Sequence, residues 1–135
     1  MSAIRFISVY KFPEHVEILF NLLKERPVHM NISHEHMPSM QQHRRFVNSR
    51  PYKRWYLILS NKNVLGSIYL TKINEIGLFL FKPFSGMETQ VLKNFIAKRR
   101  GAKFLANISP KNKRYKRIFQ SIGFQHIQNT YCLGA

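Results

Sequence analysis

The chain has 135 residues, of which 44% are hydrophobic and 13% aromatic, and its 22 Lys and Arg outnumber six Glu to give a net charge of +16. This length and composition predict one domain with a packed core. The six acids are scattered and none is Asp, which argues against carboxylate-rich metal sites, paired-carboxylate hydrolysis and phosphoryl transfer. The positive charge favours anionic partners such as nucleotides, nucleic acid or acidic membrane surfaces.

The sequence also bears on cellular location. No apolar run approaches the ~18 residues that a membrane span needs, and the first residues lack the long apolar core of a signal peptide. A single cysteine, Cys132, excludes an internal disulfide. We therefore expect a cytoplasmic protein with no membrane span, and the sequence leaves open whether it forms a homodimer.

Hydrophobic periodicity in the first half of the chain predicts a strand, two helices and a hairpin. Pro13 and Glu14 start the first helix and Pro27 ends it, whereas Ser33 can cap the second. The predicted elements are a strand at 4–10, a helix at 14–26 with Val16, Leu19, Phe20 and Leu23 on one face, a loop at 28–33, a helix at 34–48 with Met40, His43 and Val47 on one stripe, and strands at 54–59 and 64–71.

The second half predicts a strand at 75–81, a helix at 87–99, an apolar strand at 104–108, a helix and a last strand. Tyr115, Ile118, Phe119 and Ile122 recur at helical spacing, and Gly123 ends that helix. The order is β-α-α-β-β-β-α-β-α-β. It predicts an α+β fold with one mainly antiparallel sheet and helices on both faces.

The last third contains Asn107-Ile-Ser-Pro-Lys-Asn112, a short helix and Gly123-Phe124. This segment resembles the C-terminal half of the GCN5-related N-acetyltransferase (GNAT) family, and the predicted element order resembles that family over nearly the whole chain. The resemblance implies a single GNAT-like domain over residues 1–135. It also implies an enzyme that moves an acetyl group from acetyl-CoA, its co-substrate, to a primary amine.

The resemblance places the cofactor beside the strand at 75–81 and the loop that follows it. A loop entering a helix presents backbone amides that suit a pyrophosphate. Gly86 falls on the first glycine of the family's loop, but Glu88 falls on the final glycine, where a carboxylate is unfavourable unless it turns to solvent. Asn112 also suits a helix cap. The implied cofactor-binding residues are Leu78, Phe79, Leu80, Ser85, Gly86, Met87, Thr89, Asn107 and Asn112.

Catalysis requires a base that deprotonates the amine and an acid that protonates the leaving thiolate. Glu75 is the expected base, with His43 as the alternative. In many members of the family a tyrosine acts as the general acid. The position of that tyrosine is occupied here by Phe119, which cannot donate a proton. Tyr115 one turn earlier, Tyr131 on the last strand, or water can replace it. The catalytic candidates are therefore Glu75, His43 and Tyr115.

The stretch from Gln42 to Tyr56 resembles the subgroup that acetylates nucleotide-linked amino-sugars. The resemblance implies that the acceptor enters beside the loop at 28–33 and the second helix, with Met30, Asn31, His43, Tyr52 and Trp55 as substrate-binding residues. A protein N-terminus or another small amine is the alternative acceptor. A non-catalytic nucleic-acid-binding module on the same fold is the rival from another class; otherwise nucleic acid is expected to bind only non-specifically. The histidines at 29, 34, 36 and 43 lack metal-ligand spacing, so no metal site is predicted.

Overall fold

The computed structural model describes residues 3–26 and 37–134. Four strands form one antiparallel sheet in the order β1-β2-β3-β4, which confirms the predicted α+β class. The elements in chain order are β1 (Ile4–Ser8), α1 (His15–Glu25), α2 (Met40–Asn48), β2 (Arg54–Ser60), β3 (Asn63–Leu70), β4 (Ile76–Leu80), α3 (Glu88–Ala97) and α4 (Lys113–Ile122).

Helices cover both faces of the sheet, which agrees with the nearly continuous apolar runs in β2, β3 and β4. Ile68 belongs to a core that includes Phe95 of α3 and the buried face of α4. Leu57 belongs to a second core with Leu19 of α1 and Val47 of α2. The sheet therefore separates the pair α3 and α4 from the pair α1 and α2. Within the described ranges, none of the helices has the length and apolar content that crossing a bilayer demands.

Two predicted boundaries in the first half are wrong. The first strand stops at Ser8 because Val9–Lys11 form a short 3-10 helix. The second helix starts at Met40 rather than near residue 34, because Ser39 forms a capping box. The Ser39 hydroxyl accepts from the Gln42 amide at 3.1 Å, and the Gln42 side chain accepts from the Ser39 amide at 2.9 Å. The cap predicted at Ser33 lies outside the described residues.

The last two predicted strands also need correction. Segment 104–108 makes a single parallel bridge, from Leu105 to Glu75, and then leaves the sheet. Residues 124–134 contain no strand. Ile127 and Tyr131 in that segment are 71% and 89% exposed, so their side chains bury little of the apolar surface that would hold the segment against the sheet.

Candidate active site

A cleft opens where β4 and the segment after Leu105 diverge. The described residues line a space of about 640 Å³ between β4, segment 106–109 and the start of α4 on one side, and α1, α2 and the β2–β3 hairpin on the other. This volume lies within the range of small-ligand pockets, roughly 300–1,000 Å³. The failure of segment 104–108 to pair fully with β4 therefore leaves a site for a ligand.

The edge of β4 presents backbone donors to this gap. The Ile76 amide donates to the Leu105 carbonyl at 2.8 Å, so this edge of the strand faces the gap. Strand amides alternate in direction, so those of Leu78 and Leu80 point the same way, whereas the Phe79 amide points toward β3. Leu78, Phe79 and Leu80 are the cofactor-binding residues predicted on β4, and of these Leu78 and Leu80 carry amides that face the gap.

Asn112 caps α4 and also faces the cleft. Its Oδ1 accepts from the Tyr115 amide at 3.2 Å, and the residue is 7% exposed. The Asn112 side chain lines the cleft, and within residues 3–26 and 37–134 its Nδ2 group has no hydrogen-bond partner. The two roles considered for Asn112 are therefore compatible, since one atom caps the helix and the other offers a donor to a ligand.

The half-buried carboxylate of Glu75 lies at the start of β4 and lines the cleft. One oxygen accepts from the Thr71 hydroxyl at 3.2 Å and the other accepts from Nδ2 of Asn107. The contact with Asn107 holds the residue before β4 to the segment from which the strand diverges. A carboxylate that accepts two hydrogen bonds retains lone pairs for a further proton, so the arrangement is compatible with a base.

His43 and Tyr115 both line the cleft with most of their side chains buried. The His43 ring is 5% exposed, and its Nε2 lies 3.2 Å from the Val16 carbonyl, to which it donates in the matching tautomer. Burial lowers the pKa of His43 below its usual value, which favours the neutral form of the ring. Burial, reinforced by the charge of Glu88, raises the pKa of Tyr115, so its hydroxyl keeps its proton.

An aromatic wall of Tyr52, Trp55 and Tyr69 lines the part of the cleft opposite α4. Tyr52 stacks on Tyr69 with ring centroids 3.8 Å apart and planes inclined by 3°, and Trp55 meets Tyr52 edge-on at 4.7 Å. The Tyr69 ring lies across Gly77 of β4, where a Cβ would collide with it. Tyr69 and Gly77 were missed from sequence, although the pairing of Trp55 with Tyr69 in the hairpin register puts them on one face.

Glu88, at the first position of α3, does not turn to solvent. Its side chain is 3% exposed and accepts from the Gly86 amide at 2.8 Å and from both terminal nitrogens of Arg114 at 2.8 and 2.7 Å. Burial alone would raise the pKa of Glu88, but the hydrogen bonds from Arg114 and the backbone amides outweigh it and hold that pKa below its usual value. Arg114, one of the basic residues that follow Asn112 in the sequence, is therefore paired with Glu88.

The structure brings most of the predicted residues together and leaves others apart. Met30 and Asn31 lie outside the described residues, as do the histidines at 29, 34 and 36. Tyr131 is 89% exposed and does not line the cleft, whereas Phe119 does. Leu80, Ser85, Gly86, Met87 and Thr89 continue along β4 and its loop beyond the cleft lining. The residues gathered around the cleft are Glu75, His43, Tyr115, Leu78, Phe79, Asn107, Asn112, Tyr52 and Trp55.

Comparison with known proteins gives no matching family model and no matching curated protein. Solved structures do match. Spermidine N-acetyltransferase from Vibrio cholerae, in complex with CoA and spermine, has a TM-score of 0.75 at 12% identity over 93% of this chain and 82% of that one. A domain from Methanocaldococcus jannaschii has a TM-score of 0.73 at 20% identity, over 96% of this chain and 93% of that one. Campylobacter jejuni N-acetyltransferase PseH, in complex with acetyl coenzyme A, has a TM-score of 0.69 at 19% identity, over 95% of this chain and 92% of that one. The chain therefore has the fold that the two N-acetyltransferases and the Methanocaldococcus jannaschii domain share.

Proposed function

We propose that the chain transfers an acetyl group from acetyl-CoA to a primary amine. The observation that carries this proposal is the gap beside β4, because Leu78 and Asn112 both line the open cleft and can donate from a backbone amide and from the Nδ2 group. A pantetheine arm carries amide oxygens that accept such donors. A backbone amide directed at the thioester carbonyl also stabilises the negative oxygen that forms when the amine attacks.

The reaction needs a neutral amine and a proton for the leaving thiolate. Glu75 takes the proton from the amine directly or through one water, because its carboxylate lines the cleft. The His43 ring is less suited to this role, since it is 5% exposed and one nitrogen contacts the Val16 carbonyl. Water in the open cleft, or the Tyr115 hydroxyl, which burial makes a weaker acid than a free tyrosine, returns a proton to the thiolate. The products are the acetylated amine and free CoA thiol.

For the acceptor we propose a nucleotide-linked amino-sugar. The aromatic wall of Tyr52, Trp55 and Tyr69 offers flat apolar surface beside the cleft, and Arg26 lines the same cleft with its guanidinium 5.7 Å from the Phe79 ring. A polycation such as spermidine is a poorer candidate, because the chain carries +16 and Glu75 is the only acid in the described lining. Neutral and anionic amines are favoured by the same argument.

The test is an acceptor panel with acetyl-CoA as donor. Release of free thiol and the mass of the acetylated product are followed for a nucleotide-linked amino-sugar, a peptide with a free N-terminus, and spermidine. We expect amine-dependent release, with kcat/KM at least about tenfold higher for the amino-sugar than for spermidine, which the positive field repels. Release from no amine would contradict transferase activity. Preference for spermidine or peptide would contradict the proposed acceptor.

A further inference from the structure

The N-terminus of α3 already holds an anion that belongs to the chain itself. Backbone amides at a helix start carry partial positive charge and bind phosphates or carboxylates. Here the Glu88 carboxylate accepts a hydrogen bond from the Gly86 amide at 2.8 Å, and the Glu88 side chain is 3% exposed. Gly86 has φ of 110°, a conformation that glycine adopts readily, so the turn that aims this amide is built into the loop.

Arg114 from α4 compensates the buried charge. Its two terminal nitrogens bind the two carboxylate oxygens of Glu88 in a bidentate pair, although Arg114 is itself 44% exposed. The loop donor and the nearby guanidinium, which are the groups that would hold a diphosphate at this helix start, are thus both engaged by Glu88.

We propose that Glu88 is a specificity-determining residue that competes with the diphosphate of the donor, so that the enzyme holds its donor mainly by the pantetheine arm. This inference rests on the proposed function. It implies that removing the charge of Glu88 selectively strengthens binding of molecules that carry a diphosphate. It also implies that, in the wild-type protein, the diphosphate adds little to affinity.

Calorimetric titration with pantetheine, 4′-phosphopantetheine, dephospho-CoA and CoA separates the pantetheine arm from the phosphates. Glu88→Gln keeps an acceptor for the Gly86 amide and removes the charge. The control is Glu14→Gln, an equal charge change at an exposed residue at the far end of α1. At the other end of α1, the Glu25 carboxylate accepts from the Lys82 amide in the loop after β4. The length of the helix therefore places Glu14 about 16 Å from that contact.

We expect Glu88→Gln to bind dephospho-CoA and CoA about tenfold more tightly than the wild type does, because a nearby like charge is removed. Its affinity for pantetheine should stay unchanged, and Glu14→Gln should leave all four affinities unchanged. An equal gain in Glu14→Gln, or no gain in Glu88→Gln, would overturn the inference.

The wild-type protein supplies a second readout that requires no folded variant. If Glu88 competes with the diphosphate, CoA should bind within about tenfold of pantetheine, whereas a gain of about a hundredfold or more from the phosphates would overturn the inference. Absence of binding by all four ligands to every variant would instead overturn the proposed function and this inference with it.

Discussion

At the scale of single residues, some of the polar side chains that line the cleft also hold the fold. Glu75 illustrates this, because its carboxylate joins Thr71 to Asn107 while lining the cleft. The sequence places Glu75 at the start of a strand and so identifies it as a candidate. The contact with Asn107 could not be predicted, since it spans 32 residues and depends on where β4 and the later segment separate.

Glu75→Gln should separate catalysis from structure at this position. The substitution keeps the shape and removes the basicity, so kcat should fall by about 10²-fold or more while the dissociation constant for acetyl-CoA stays near that of the wild type. Thr71→Val is the matched control, because it removes the hydroxyl that bonds both the carboxylate and the backbone amide of Glu75 but leaves the base. An equal loss in both variants, or a parallel loss of donor affinity, would assign Glu75 a purely structural role.

His43 should make stability depend on pH. Burial lowers its pKa in the folded protein below the ordinary value of 6.5. Above pH 6.5 the ring is neutral whether the chain is folded or unfolded, and as pH falls below 6.5 the unfolded chain takes up a proton that the folded chain resists, so stability is lost. The Tm of the wild type should therefore fall between pH 7.5 and 5.5 more steeply than that of His43→Gln. Parallel curves for the two proteins would show that His43 does not cause the loss.

At the scale of elements, local signals located helices well and strand pairing poorly. The predicted end of α4 at Gly123 is confirmed, and that glycine has φ of 117°. The start of α2 was misplaced because Ser33 and Ser39 both suit a cap, and the capping box involves Ser39. The apolar run at 104–108 reads as a strand, yet pairing is a property of two segments. Its separation from β4, which creates the cleft, has no signature in either segment alone.

Gly77→Ala tests how β4 positions the aromatic wall. A Cβ at residue 77 would overlap the Tyr69 ring, so the ring must move and its stack on Tyr52 is lost. We expect a loss of about 1–3 kcal/mol in the free energy of unfolding, together with a higher KM for the acceptor and little change in donor affinity.

A double-mutant cycle isolates the cause of this effect. Tyr69→Ala removes the ring that the new Cβ would strike, so adding Gly77→Ala to it should cost much less than adding Gly77→Ala to the wild type. Additive losses would show that the alanine acts through the strand backbone rather than through Tyr69.

At the scale of the whole molecule, the fold class could be predicted from the sequence and the positive charge is counted from it. The fold class supports an acetyltransferase, whereas the charge also suits a nucleic-acid-binding module. The charge is consistent with a nucleic-acid-binding module, and the exposed face of α4 carries Lys113, Lys116 and Arg117. A phosphorylated substrate explains the charge as well. The cleft favours the substrate, since an open gap lined by Asn112 and Glu75 has no use in a module that binds only through its surface charge.

Salt dependence should distinguish these functions. Binding to a nucleic-acid duplex through six or more phosphates weakens by about 10³-fold or more between 50 and 200 mM salt. We expect duplex binding to be weak, sequence-independent and lost at moderate salt, whereas the KM for a nucleotide-linked amine should change only modestly. Tight, sequence-selective binding to nucleic acid without acetyl transfer to any amine would favour the binding module.

The central claim is that acetyl-CoA occupies the gap between β4 and segment 106–109. Titration calorimetry of acetyl-CoA into the wild type and Asn112→Ala tests it most directly. We predict saturable binding of one molecule per chain, weakened about tenfold in Asn112→Ala through loss of a buried hydrogen bond. Asn112→Asp is the control, because it preserves the cap and removes the Nδ2 donor, so it should bind at least as weakly as the alanine variant. No heat of binding at near-millimolar acetyl-CoA, or equal affinity in all three proteins, would contradict the claim.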